Sequence, residues 1–335
     1  MAYAASRTTL GPHELVVLHD HQRDRHVRIA RRGATVLNLE VSVNGAKLDL
    51  ADGYRDAGEL DTRPGSRFAI MLPFANRIAD ARYTFDGQPQ DLQPGVPPAQ
   101  RASRHGFVRG TDFEIAELGA DADGAYVTMT TASIRPGVYP GYPHALDLAV
   151  RYRLQADGLT LEVSMRNVGD EAAPCFFGWH PYFRLGDTPV DSWQLQVPAT
   201  ETIRTDAQSI PLPGAAANVP LAQAQAPELD YRQPRTIGTQ KLDNGFAGLV
   251  PDADGRIRTH MRDPSSGVGV AMWQEHGIAL VFSADTVSRD VRRAVALEPM
   301  ESYADAFNRP DCAAAIRLEA GAERLYRCGV EFLLP

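Results

Sequence analysis

The chain has 335 residues, 44% of them apolar and 23% charged, with a formal net charge of −8. These are ordinary values for a globular protein, and a chain of this length buries enough surface to hold a core without disulfides or metals. The acidic balance and scattered basic residues argue against a nucleic-acid partner, and no run approaches the roughly 18 consecutive apolar residues that a membrane helix needs.

The N-terminal stretch Met1–Leu10 lacks the apolar centre of a signal peptide. Cys175, Cys312 and Cys328 are odd in number and show no CxxC spacing. They read as reduced, buried small hydrophobes, which places the protein in the cytoplasm. Oligomeric state has no signature here.

Taken in chain order, the dominant pattern has period two. His19, His21 and His26 fall among Arg23, Asp24 and Arg25 and read as a solvated strand and turn rather than a metal site. Val36–Val43 alternates as a strand, and Phe85-Asp86-Gly87-Gln88 marks a hairpin, because Asp-Gly readily takes the positive φ angles of a tight turn. Asp121-Ala122-Asp123-Gly124 and Asp252-Ala253-Asp254-Gly255 resemble calcium loops, but neither continues with oxygen ligands at loop spacing, so both read as hairpin turns. Tyr126–Thr130 alternates in turn.

Leu146, Leu148, Val150, Tyr152 and Leu154 then share one face, with Asp147, Ala149, Arg151 and Arg153 opposite. After Gln155-Ala156-Asp157-Gly158 the alternation resumes at Leu159, Leu161, Val163 and Met165, the pattern of a hairpin with one buried face. Asp206–Thr239, rich in Ala, Pro and Gln, reads as a long loop within one domain covering residues 1–335. Val268–Met272 and Ile316–Leu318 alternate again, and the best helical candidate is a short turn near Ser302–Ala306. With 28 Gly and 24 Pro punctuating the chain, the expected class is all-β, a large antiparallel β-sandwich.

Five segments place polar or ionisable groups among aromatics and turn residues: Asn76-Arg77-Ile78, His105-Gly106-Phe107, Gly178-Trp179-His180-Pro181-Tyr182-Phe183, Leu242-Asp243-Asn244-Gly245-Phe246 and Leu297-Glu298-Pro299. Each has an ordinary structural reading as a surface pair, a turn or a core edge. As an ordered set, however, they resemble the aldose 1-epimerase (galactose mutarotase) family. The resemblance extends through Ala81–Gly87, Pro211–Gly214, Leu229–Arg232, Glu298–Ser302 and Ala306–Asn308, nearly the whole chain.

The resemblance implies a galactose mutarotase-like β-sandwich and a cofactor- and metal-independent enzyme acting on a monosaccharide. Interconverting anomers requires a base for the C1 hydroxyl proton and an acid for the ring oxygen. By analogy Glu298 is that base and His180 that acid, placed on opposite sides of the sugar. Arg77, His105 and Asp243 hold the ring oxygen and hydroxyls with support from Asn76, and Phe246, Tyr182 and Trp179 are candidate aromatic platforms. His180-Pro181-Tyr182-Phe183 and Glu298-Pro299-Met300 depart from the best-known galactose-specific members, which leaves the aldose open. Two alternatives stand beside the mutarotase. A phosphosugar 1-epimerase would need Arg101, Arg104, Arg292 or Arg293 at the cleft. A non-catalytic carbohydrate-binding sandwich would need no placed acid–base pair.

Overall fold

The computed structural model describes residues 2–223 and 226–335. Strands account for 47% of the structure and helices for 12%, so the all-β expectation holds, and every ladder between named strands is antiparallel. Among the described residues, the two largest sheets have nine and eight strands.

The hairpin read from the alternating pattern is the centre of the nine-stranded sheet. Leu146–Leu154 pairs with Gly158–Asn167 in unbroken register, Val150 opposite Val163, and the predicted apolar face is fully buried. A one-residue slip would turn that face to solvent, so its burial locks the register. This sheet continues through Glu323–Leu333 to Gly269–Gln274. A five-stranded meander, Tyr3–Leu10 to Ala46–Asp49, adjoins it, and the Tyr152 hydroxyl donates to the Ala34 carbonyl across the join (2.9 Å). Within the meander, His19 pairs directly with His26 and Arg23 and Asp24 fall in the intervening turn, so the histidine segment is a hairpin.

The eight-stranded sheet includes Ala69–Met71, Gly178–His180, Tyr182–Phe183, Ala199–Ile203, Asp243–Leu249, Ile278–Phe282 and Val295–Met300. Its inner face meets the nine-stranded sheet: Trp179 packs on Tyr152 (ring centroids 6.4 Å apart) and Phe177 on Tyr326 (5.3 Å). Its other face carries the site described below.

Three expectations are refined. Asp206–Thr239 is not a bare loop, since Asn218–Pro220 edges the eight-stranded sheet and Arg235–Thr236 the nine-stranded one; residues 224 and 225 lie outside the described residues. The helical turn expected near Ser302–Ala306 is a 3-10 turn at Ala306–Asn308. Of Ile316–Leu318, only Arg317–Leu318 is strand, because a single helical turn at Ala313–Ile316 precedes it.

Candidate active site

Period two decides which side chains face the cleft. On Gly178–His180, Trp179 points into the core against Phe68 and Tyr152, so the adjacent His180 emerges on the opposite face. On Asp243–Leu249, Asp243 reaches the cleft and Phe246, three residues on, must point the other way. Phe246 is fully buried in the core and Trp179 likewise. Neither is a sugar platform, which corrects the sequence expectation for both.

Asn76, Arg77 and His105 are set by strained backbone. Asn76 and His105 have φ of 56° and 60°, the left-handed region that non-glycine residues rarely adopt. The His105 amide donates to the Asn76 carbonyl (2.8 Å) and the Phe107 amide to that of Leu72 (2.7 Å), tying the two turns together. Arg77–Ile78 pairs with Ser103–Arg104, and the Arg77 carbonyl accepts from the Asp305 amide (2.8 Å). Asp305 is itself bonded to the Ala79 amide and to Asn308, so the distant Ala306–Asn308 turn helps hold the arginine strand.

Between these turns sits Gly106, at φ 63°, where a Cβ would fall 1.9 Å from the Leu72 carbonyl oxygen. Backbone cannot step aside as a side chain can. Gly106→Ala is therefore expected to destabilise the protein by about 1–3 kcal/mol, read as a lowered denaturant midpoint, with weakened activity because His105 moves with it.

These elements converge on an open cleft of about 710 Å³, lined by Asn76, Arg77, His105, His180, Asp243 and Glu298 among others. That is ample for a monosaccharide. His180 Nε2 lies 3.4 Å from Glu298 Oε1, both side chains being almost completely buried. The sequence expectation of groups on opposite sides of a sugar is thus corrected: the two side chains stand side by side. Such an arrangement suits anomer interconversion, in which the two oxygens that exchange protons are bonded to the same carbon, C1. Arg77 Nη1 donates to Asn76 Oδ1 (3.0 Å), the supporting contact expected of Asn76. His105 stands edge-on to His180, ring centroids 5.2 Å apart, and its Nδ1 lies 2.8 Å from Met71 Sδ.

Burial dominates the electrostatics. It pushes the Glu298 carboxyl well above the usual carboxylate range, reinforced by Asp243 and opposed by Arg77. It pulls His180 down to about 3, with Arg109 and Arg67 adding to the effect, and it pulls His105 well down, helped by His180 and by Arg109. Burial thus favours a proton on the Glu298 carboxyl over one on the His180 imidazole. Moving that proton across the 3.4 Å gap gives carboxylate and imidazolium without changing the proton count.

Tyr182 also differs from expectation. It is stacked on His180 (centroids 5.0 Å, interplanar angle 8°) with the Arg67 guanidinium 4.8 Å from its ring centroid, and it is only 1% exposed. With so little surface left, it aligns His180 rather than offering a broad platform to a ligand. The lining also includes residues that no sequence motif marked, notably Phe282, Arg109 and Ser66.

The family model described as aldose 1-epimerase matches residues 14–330. The chain belongs to the aldose 1-epimerase family. Among curated relatives it is 30% identical to the uncharacterized protein YihR of Escherichia coli (strain K12), over 71% of each chain. It is 29% identical to the galactose mutarotase of Rattus norvegicus, over 64% of this chain and 59% of that one. Among solved structures, a galactose mutarotase-like protein from Clostridium acetobutylicum superposes with a TM-score of 0.83 at 13% identity, covering 99% of this chain and 98% of that one. An aldose epimerase homologue from C. elegans gives 0.79 at 17% identity, covering 93% and 97%. The fold is that of the galactose mutarotase-like proteins.

Proposed function

We propose that this aldose 1-epimerase family member is an active mutarotase, interconverting the α and β anomers of an aldose through Glu298 and His180. The observation that carries the reading is their 3.4 Å approach at the floor of the cleft, with Arg77, His105 and Asp243 around them.

In the ionised form of the pair, the Glu298 carboxylate takes the C1 hydroxyl proton. The C1–ring oxygen bond breaks as C1 becomes a carbonyl, and imidazolium His180 protonates the departing ring oxygen. Rotation about C1–C2 presents the other carbonyl face, and the same transfers run in reverse. Arg77 stabilises the Glu298 carboxylate, since its positive charge opposes the upward shift of that carboxyl. In this reading Arg77, His105 and Asp243 bind the ring oxygen and hydroxyls, and the Arg77 contact to Asn76 supports it (3.0 Å). Burying an acid–base pair carries a desolvation penalty that a sugar-binding module has no need to meet, which supports turnover over binding alone. The three cysteines are unpaired and buried, in keeping with a reducing, cytoplasmic setting.

The test is polarimetry of freshly dissolved pure anomers of several aldoses. Acceleration proportional to enzyme is expected, and a panel on which no aldose equilibrates faster than in buffer overturns the reading. Both proton transfers use side chains, so activity should survive dialysis against a chelator; complete loss that zinc or calcium restores would count against the scheme.

A further inference from the structure

Of the four arginines that could serve a charged sugar, three are committed elsewhere. Arg101 makes a two-pronged contact with Asp91 (2.8 and 2.9 Å), Arg292 binds Asp191 and Asp285, and Arg293 donates to the Asp187 carbonyl. Arg104 differs. It is exposed, lines the cleft, and sits directly opposite Arg77 in an antiparallel pair.

Side chains directly opposite in such a pair share one sheet face, and like charges there repel. Among the described residues, neither guanidinium has a carboxylate within ion-pair distance: Arg77 donates only to the amide oxygen of Asn76, and Arg104 has no side-chain partner. A third arginine, Arg109, also lines the cleft and spends its donors on Ser66 Oγ (2.7 Å) and the Arg104 carbonyl (3.3 Å). Against these three cations the lining sets two carboxyls, Asp243 and Glu298, and burial disfavours ionisation of Glu298. The cleft is thus locally cationic in a chain of net charge −8.

We infer that Arg104, with Arg77, forms an oxyanion-binding subsite, and that the aldose taken here carries a negatively charged substituent. The inference rests on the epimerase reading and adds the substrate class. Asp243 and Glu298 act on Arg77 at longer range, but hydroxyls of a neutral sugar would leave Arg104 opposed to Arg77 without an anion of its own, whereas a phosphate, sulfonate or carboxylate relieves the repulsion and matches the planar donor fork. The exposed position of Arg104 also suits it to draw an anion into the cleft.

The test compares kcat/KM for glucose with that for glucose 6-phosphate, glucuronate and glucose bearing a sulfonate at C6. At least one anionic sugar is expected to exceed glucose by about tenfold or more, and the best of the three identifies the oxyanion. Its advantage should shrink as ionic strength rises. In Arg104→Gln the anionic-to-neutral ratio should fall about 10- to 100-fold, with Arg104→Lys retaining part because it keeps charge without the fork. Glucose matching or exceeding all three sugars, or a ratio indifferent to Arg104→Gln, overturns the inference while leaving the epimerase reading intact. If no sugar turns over, the epimerase reading falls. Calorimetric titration then decides the subsite: tighter binding of an anionic sugar than of glucose, lost in Arg104→Gln, supports it, and equal binding rejects it.

Discussion

Glu298→Gln should lower kcat by about a hundred- to ten-thousandfold with KM little changed. General acid–base groups contribute in that range, and glutamine keeps the shape and hydrogen bonding of the carboxyl while losing its basicity. His180→Asn should act likewise, and the double variant should fall little further, because residues acting as one unit are not additive. Arg77→Ala is different, since a group that binds in both ground and transition state moves kcat and KM together. The pH profile gives a separate readout. An unperturbed Glu–His pair holds one proton only between about 4.3 and 6.5, so its activity would peak in acid. Here burial lowers His180 to about 3 and raises Glu298, so the shared proton favours the carboxyl and the acid edge of the one-proton state moves down. The acid limb marks a second proton arriving on the depressed imidazole, and the alkaline limb marks loss of the shared proton from the raised carboxyl. These limbs belong to the pair rather than to either residue. The acid limb of kcat/KM is expected below that of the unperturbed pair, and an acid limb at about 4.3 or above would contradict the electrostatics. Near-full activity in Glu298→Gln would move the role to another carboxylate, with Glu301 the first to examine. Glu301 Oε2 accepts from the Phe177 amide (2.9 Å) and Oε1 from Arg324 (3.2 Å), partners that argue for a structural role.

Much of this was legible in residue order because period two is a local property. The hairpin Leu146–Met165 shows its buried face in sequence, and the structure buries that face. The same rule, applied strictly, would have excluded Phe246 and Trp179 from the cleft: each stands an odd number of residues from the site residue on its own strand. The meeting of Arg77, His105, His180, Asp243 and Glu298 could be anticipated only through family resemblance, because it depends on strand order, which no local pattern encodes. Side-chain commitments were hidden more deeply. Arg101 and Arg104 are three residues apart and alike in sequence, yet only the position of Asp91 ties one down and leaves the other in the cleft. Arg67 was invisible, since a lone Arg beside Phe68 carries no signal until Asp52 and Tyr182 close around it.

Asp52→Ala should be among the most destabilising single substitutions in the chain, by about 3–5 kcal/mol. Arg67 and Asp52 are 2% and 5% exposed and form a direct ion pair, and removing one partner leaves the other charge buried and uncompensated. Arg289, the second cation on Asp52 (2.7 Å), keeps Glu59 and is less affected. Arg67 also lies over the Tyr182 ring, and Tyr182 stacks on His180, so an unanchored guanidinium disturbs the column that orients the His180 imidazole. Denaturant unfolding checks the stability loss. The decisive control is Asp52→Ala combined with Arg67→Met, which removes both charges and keeps much of the volume. Stability should largely return, because replacing a whole buried pair by apolar groups costs far less than breaking it. A double variant as unstable as Asp52→Ala alone would show that packing around Asp52, rather than the stranded charge, sets the loss. The double variant also isolates the electrostatic role of Arg67. Its positive charge disfavours protonation of His180, so without it the imidazole takes its second proton more readily, and the acid limb of kcat/KM should move to higher pH while the alkaline limb stays in place, because Asp243 and Arg77 rather than Arg67 are the charges acting on Glu298.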